Sequence, residues 1–461
     1  MNLKPILFTL LCLLCTAGYA QQKPNIIFVL TDDLGYSDLG CYGNPSIATP
    51  FLDKMAAKGV RATDYMVTSP SCTPSRASLL TGRYASRYNL PDPIGPGAKN
   101  GLPAQEVTIA EMLKEKGYRT ALIGKWHLGD HGEYLPNKQG FDYFYGMLYS
   151  HDYRDPYVKT DTTIKIFRNQ TPVVTRPADS ALSRIYTEEV KQYISQQKKG
   201  EPFFLYYAHN MPHLPVAFSA ESGRMKDLHF AGPLGAVLED LDRQLAIMWA
   251  SLEEQGLADN TIFMFSSDNG PWIEYPVRMS GDHKTKNWHV GTAGVFRGSK
   301  AQTYEGGVRV PFITYWKGHT PEGITLRNAI SNVDILPTLA EWTGASVPAS
   351  RTLDGQSIAA LLTSKSENIT ADHRPIYLVN HGKVEAVRKG SWKYRELPAG
   401  VNNNSGKPYE AAKELFNISY DPSERTNVIS EFPEKAQELK VLFDNFDAGL
   451  DTYNTTKKSH K

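Results

Sequence analysis

Residues able to do chemistry cluster in a few short stretches of this chain. Asp32 and Asp33 follow closely on the apolar run NIIFVL, and Asp268 and Asn269 follow a second one, TIFMF, after two serines. Neighbouring side chains of a strand face opposite ways, but the turn at its exit can bring both to one place. Carboxylates gathered there repel each other unless a cation sits among them. All four side chains offer oxygen, which suits a hard cation such as Ca²⁺ or Mg²⁺. Aspartate and asparagine are also ordinary turn residues, so neither pair makes a metal site by itself.

A second stretch, CTPSRASLLTGR, runs from Cys72 to Arg83. Thr73 as cap and Pro74 in the first turn predict a helix beginning beside the cysteine. The thiol then lies at the positive end of the helix dipole, where unpaired backbone N–H groups favour an anion. Arg76, one turn on, can reach the same place. A lone cysteine is commonly an inert buried thiol, and Cys41 is available as a disulfide partner. Nucleophile, disulfide and chemical conversion all stay open at this point. Further basic residues recur at strand exits: Lys125 and His127 in GKWHLG, His213 in MPHLP, Lys300 in RGSKAQTYEGGVR. Together with an acidic cation site they describe a pocket for a small, highly charged oxyanion.

The elements that must position these groups alternate along the chain. Helical patterns occupy TPFLDKMAAKG (Thr49 cap, Pro50 first, Gly59 stop), TIAEMLKEKGY closed by Gly117, TEEVKQYISQQKKG and DILPTLAEWTGA. In GAVLEDLDRQLAIMWASLEEQG, Leu238, Leu241, Leu245, Met248, Trp249 and Leu252 keep helical spacing. Between them stand the strands RTALIGKWHLG, PFFLYYAH, TIFMFSSDNG and GGVRVPFITYW. Continuously apolar strands alternating with amphipathic helices predict a large α/β sheet, mixed but mostly parallel, sandwiched by helices. Ligands gather beyond the carboxyl ends of such strands, where the candidate residues lie. After about residue 365 the pattern becomes antiparallel strands, with a turn at Lys389-Gly390, and one last helix. We therefore expect a catalytic domain over 21–365 and a smaller antiparallel sheet with one helix over 366–461. The stretches 151–185, 271–304 and 398–409 read as irregular, the first two as pocket walls.

The N-terminus combines Lys4, the apolar run Ile6–Leu14 and the small-x-small Gly18-Tyr19-Ala20, a secretory leader cleaved after Ala20. Its apolar run is too short to span a bilayer, and no later stretch is a membrane helix. Bulky residues before Cys12 and Cys15 disfavour lipidation there. The expected location is secreted or periplasmic. With 461 residues, 41% apolar, the chain can build a substantial core, and a net charge of +1 argues against a general nucleic-acid binder.

CTPSR followed by ASLLTGR resembles the signature of the type I sulfatases of the alkaline phosphatase superfamily. TDDLGYSDLG, GKWHLG, YSHD, PHLP, SDNG, YEGGVRVP and ELFNISYDPSERTNV extend the resemblance over nearly the whole mature chain. Within that family the chain resembles the branch containing arylsulfatase A and N-acetylgalactosamine-6-sulfatase. The resemblance implies an alkaline phosphatase-like fold and conversion of Cys72 to formylglycine by a maturation enzyme. It implies Ca²⁺ held by Asp32, Asp33, Asp268 and Asn269. Arg76, Lys125 and His127 would hold the formylglycine, Ser150 would contact sulfate and hydrate, and His213 and Lys300 would hold sulfate and protonate the departing alcohol. The implied reaction is hydrolysis of a sulfate monoester, with a galactose- or N-acetylgalactosamine-type glycan, attacked from its end, as the expected substrate. His151, Asp152, Arg154, His283 and Trp288, with Trp272 and His289, are the candidates for holding the sugar. Two alternatives are a phosphonate monoester or phosphodiester hydrolase on the same fold, and a catalytically dead Ca²⁺-dependent binder of sulfated glycans.

Overall fold

The computed structural model describes residues 22–218, 231–366, 374–402 and 405–458, with 451–458 as backbone alone. The leader expected over 1–20 lies outside the described residues. The strand β1 (Asn25–Thr31) is buried on both faces. Ile26, Phe28 and Leu30 enter one apolar cluster, and Ile27 and Val29 the other. That two-residue alternation explains the unbroken apolar run, because helices cover both sides of the sheet.

In the main sheet β10 (Ile324–Leu326), β2 (Val60–Ala62), β9 (Phe312–Tyr315), β8 (Thr261–Ser267), β1, β7 (Phe203–Ala208), β3 (Arg119–Lys125), β4 (Tyr143–Met147), β5 (Lys165–Arg168) and β6 (Thr171–Thr175) lie side by side in that order. The run from β8 to β4 is parallel, whereas β9, β5 and β6 run against their neighbours. One face is covered by α1 (Pro50–Lys58), α4 (Leu182–Ser195) and α5 (Gly232–Glu254). The other carries α2 (Cys72–Thr81), α3 (Ile109–Lys114) and α6 (Ile335–Thr343). The architecture is the large, mostly parallel sheet between helices that the alternation predicts.

Local signals and tertiary context part company at several ends. Thr49, Pro50 and Gly59 bracket α1 as expected, yet the Thr49 hydroxyl donates to Asp53. The N–H groups of Phe51 and Leu52 are instead capped by Asp242 of α5, both at 2.9 Å. The helix α4 begins at Leu182, ahead of the TEEVK stretch, and α3 ends at Lys114, short of Gly117. Glu305–Val308 forms a helical turn before β9 rather than the start of a strand. The 151–185 stretch is not wholly irregular: it contains the β5–β6 hairpin. Four of the five residues of β6 are exposed, so it has no buried face to print an alternating pattern in the sequence.

The second sheet is the antiparallel meander β11 (Ile376–Asn380), β12 (Lys383–Lys389), β13 (Trp392–Leu397) and β14 (Ala412–Asn417). The helix α7 (Pro433–Lys458) covers it through Leu439, Phe443 and Leu450. A buried ion network joins it to the main sheet. Glu305 lies 3.1 Å from Lys393 of β13, 3.3 Å from Arg388 of β12 and 3.2 Å from Arg309, and Lys393 also meets Glu424 at 2.8 Å. Burial alone would raise the Glu305 pKa, but Lys393, then Arg388 and Arg309, outweigh it and hold the carboxylate below its ordinary range. Removing that charge takes one partner from each of three buried cations, although Lys393 keeps Glu424 and Arg388 and Arg309 keep Asp64. We expect Glu305→Gln to cost about 3–5 kcal/mol in chemical denaturation. Since the folded pKa is depressed, this stability is present above the unfolded value of about 4.3 and is lost as pH falls through the lower folded value. A variant as stable as the parent across that range would refute the assignment.

Candidate active site

Because β8, β1, β7 and β3 are adjacent and parallel, their carboxyl ends open on one place. Asp32 and Asp33 leave β1, Asp268 and Asn269 leave β8, His209 leaves β7, and Lys125 ends β3 with His127 just beyond. Asp33 has φ 65° and His127 φ 62°, both in the left-handed region that non-glycine residues seldom occupy. The turn at Asp33 is what allows consecutive aspartates, opposed on a strand, to face one site. Strain of this kind persists where the surrounding structure enforces it.

The carboxylates arrive already paired. Lys125 Nζ lies 2.5 Å from Asp32, Lys300 Nζ 2.7 Å from Asp33, and Arg76 Nη2 2.8 Å from Asp268. All six side chains are at least nine-tenths buried. The chain thus supplies one cation for each aspartate, yet burial, then the Asp32 charge, still raises the Asp268 pKa to about 7, so this pairing relieves the repulsion only in part. A metal is still accommodated. Asp32 Oδ1 and Asn269 Oδ1 are buried without a hydrogen-bond partner among the described residues, and such orphaned oxygens cost about 1–3 kcal/mol each. Asn269 Nδ2 donates to Asp33 Oδ1 at 2.7 Å, so its oxygen is the free end. Asp32, Asp33 and His213 can each offer an atom within 4.8 Å of the others. A divalent cation added to a charge-balanced cluster makes it strongly positive, which is what an anionic ester requires.

Cys72 opens α2 rather than preceding it: the extended residue Ser71 is the cap, and Thr73 lies inside the first turn. The Thr73 hydroxyl donates to the His127 carbonyl (2.9 Å) and accepts the Ile94 N–H (3.3 Å). Cys72 is buried and free, as is the half-buried Cys41, so no disulfide joins them. Burial pushes the Cys72 thiol above its ordinary pKa, more than Lys125 and Lys300 pull it down. An unmodified thiol here is protonated at neutral pH and a poor nucleophile.

Two histidines carry defined tautomers. His127 Nε2 meets the Ile94 carbonyl at 2.8 Å and must donate, leaving a buried Nδ1 that has no hydrogen-bond partner among the described residues and keeps its lone pair. Burial, then Lys125 and Arg76, lowers its pKa well below the usual value. His213 Nδ1 donates to the Leu214 carbonyl at 2.6 Å, which turns Nε2 towards Asp33, 3.6 Å away. Burial lowers His213 to about 4, against the opposing pull of Asp33.

Ser150, expected at the sulfate, gathers at His213 together with the sugar-holding candidates His151 and Asp152. Ser150 Oγ is 3.5 Å from its Nδ1, the His151 ring is 5.7 Å from its ring, and Asp152 is among the charges it senses. Trp272 joins them, 4.2 Å from Lys300 Nζ and 5.3 Å from the His213 ring. The other candidates are placed differently. Arg154 pairs with Asp179 and lies over Tyr157. His283 and Trp288 line a separate shallow cleft with Tyr275 and Lys286, and His289 packs beside Trp288. Loop residues lack a periodicity that would tell which way they face, so sequence could not separate these groups. Two contributors escaped the sequence reading. His209 is buried with no partner for Nε2 among the described residues, and its signal in the sequence is its position at the end of an apolar strand, like Lys125. Thr73, which its place before a proline marks as a cap, instead braces His127 through its hydroxyl.

The chain is similar to known sulfatases over most of its length. The family model described as Sulfatase matches residues 24–345. Arylsulfatase A of Homo sapiens is 37% identical over 94% of this chain and 89% of its own length. N-acetylgalactosamine-6-sulfatase of Sus scrofa is 32% identical over 90% of this chain and 84% of its own. Among solved structures, Ps i-CgsB in complex with k-i-k-neocarrahexaose has a TM-score of 0.76 at 29% identity, covering 92% of this chain and 93% of that one.

Proposed function

The chain belongs to the sulfatase family and is a sulfuric ester hydrolase, and from that premise we propose that it removes sulfate from the end of a galactose- or N-acetylgalactosamine-type glycan. The observation that carries the reading is the buried, charge-balanced cluster around a free Cys72 at a helix start. A relative named for N-acetylgalactosamine 6-sulfate supports a sugar ester as substrate.

In this reading Cys72 is converted to formylglycine by a maturation enzyme, and Asp32, Asp33, Asp268 and Asn269 hold Ca²⁺. The metal, when bound, draws charge from the sulfate oxygens and favours the ionised hydroxyl beside it. Formylglycine supplies, as its hydrate, one hydroxyl to attack sulfur and a second through which sulfate can later be expelled. The chain's own groups do the rest. Lys300 and Lys125 are held where they can turn from the carboxylates to the anion, and Arg76 stays tied to Asp268 and to the Lys125 carbonyl as a fixed charge. Ser150 Oγ is placed to donate to a sulfate oxygen. His213, whose protonation an arriving anion favours, is placed to give its Nε2 proton to the departing sugar oxygen. His127 Nδ1 is placed to take a proton from the hydrate. Cations aimed at charge that develops in the transition state typically contribute about 3–4 kcal/mol each. The chemistry belongs to the 21–365 unit, with 366–461 as its smaller companion. The leader over 1–20 would carry the protein to a secreted or periplasmic location.

The test is sulfate release from singly sulfated galactose, N-acetylgalactosamine and N-acetylglucosamine isomers, using protein coexpressed with a maturation enzyme and checked by peptide mass. We expect one positional isomer to be preferred. Hydrolysis of phosphonate monoesters with none of sulfate esters, at full conversion, would overturn the reading. Binding of sulfated sugar without release would leave only a binder.

A further inference from the structure

A cavity of about 410 Å³ lies beside the catalytic cluster, at the carboxyl end of β4. Its floor is Met147 and Leu148, whose carbonyls accept the N–H groups of Trp126 and His127 at 2.9 and 3.0 Å. Floor and catalytic segment are therefore one hydrogen-bonded piece. Ser150 lines the cavity while standing 3.5 Å from His213. Tyr153 lines it too, with its ring edge-on to His127 at 5.9 Å. Its hydroxyl donates at 3.3 Å to the same Ile94 carbonyl that His127 Nε2 uses. The far wall is the start of the β5–β6 hairpin, the element that adds antiparallel strands to the edge of the sheet.

The lining has a definite chemistry. The Tyr149 and Tyr153 rings lie 5.8 Å apart, and together with Phe167 and Leu148 they offer apolar surface to the C–H faces of a ring. Asp161 offers acceptors for hydroxyl hydrogens, Asp130 adds charge while its oxygens already meet the Tyr149 hydroxyl, the Gly97 N–H and the His131 ring, and Lys165 is the one cation among the residues that line the cavity. A second anion here would face two carboxylates and a single ammonium, which disfavours it.

We propose that this cavity seats the sugar ring whose hydroxyl carries the sulfate, and that Asp130 and Asp161 select against a second sulfate on that ring. The proposal rests on the sulfatase reading above and adds to it a ring subsite with a charge preference.

The test does not need turnover. Saturation-transfer NMR with N-acetylgalactosamine and with galactose would be run on the Ca²⁺-loaded full chain, and on Thr162→Trp, which fills the cavity from its exposed wall. Parallel thermal melts would show that the variant is folded. We expect ring contacts in the parent and at least a fivefold loss in Thr162→Trp. N-acetylgalactosamine would then be competed off by its mono- and disulfated forms. Asp161→Lys, a surface change, should narrow the preference for the monosulfate by about tenfold. Absence of ring contacts in the parent, their survival in folded Thr162→Trp, or an unchanged preference in Asp161→Lys would overturn the proposal. Sugar binding that passes these tests without sulfate release would instead overturn the hydrolytic reading and leave the subsite standing.

Discussion

Replacing Cys72 by alanine is expected to lower sulfate release by on the order of 10⁵-fold or more, since removal of a nucleophile costs on that scale. The alanine fits a buried position in the first turn of α2 and breaks no pairing, because the thiol is free. The melting temperature should stay close to the parent's, which separates chemistry from folding. Cys72→Ser is the sharper variant. A serine offers one hydroxyl and no second one through which to expel sulfate, so at most one equivalent of alcohol should appear per chain. The unconverted parent should also be silent, because burial keeps its thiol protonated. Activity across preparations should then track the converted fraction measured by peptide mass. Steady turnover by Cys72→Ser, or by wholly unconverted protein, would remove formylglycine from the account.

The second large effect concerns the metal. Asp33→Asn keeps the shape of the side chain but removes a charge held by Lys300 at 2.7 Å. We expect calorimetric Ca²⁺ affinity to fall by at least about a hundredfold, the upper end of what even outer-shell changes cause. Sulfate release should fall by about 10³-fold or more, and chelation of the parent should mimic it reversibly. A pH dependence accompanies this. Burial first, then the Asp32 charge, holds Asp268 above the ordinary carboxylate range in the metal-free protein. Its proton must leave when a cation binds, so Ca²⁺ affinity should weaken as pH falls through that raised pKa, by up to about tenfold per unit. Affinity that is flat in pH, or full activity in chelator, would exclude these residues as the metal site.

Much of the chemistry was legible in the sequence because each catalytic candidate sits at a fixed offset from a strong local pattern. An aspartate after an apolar strand, or a cysteine opening a proline-marked helix, is read from neighbours a few residues away. The continuous apolar run of β1 likewise announced a strand covered on both faces. The hairpin β5–β6 was not legible, because its outer strand buries almost nothing. Nor was the separation of Arg154, His283 and Trp288 from Ser150, His151 and Asp152.

The amino-acid sequence by itself determined which groups stand at the strand ends, since local periodicity and turn chemistry act over a few residues. It also determined the helix–strand alternation that makes those ends coincide. Only the tertiary structure decided that each aspartate meets its own buried cation, because Asp32 and Lys125, or Asp33 and Lys300, are brought together by strand order rather than by spacing. The same holds for the Thr73 brace on His127, and for the hairpin wall that gives the cluster its adjoining cavity. These contacts join segments far apart in the chain, and their energies are set by burial and geometry that no short window of residues records.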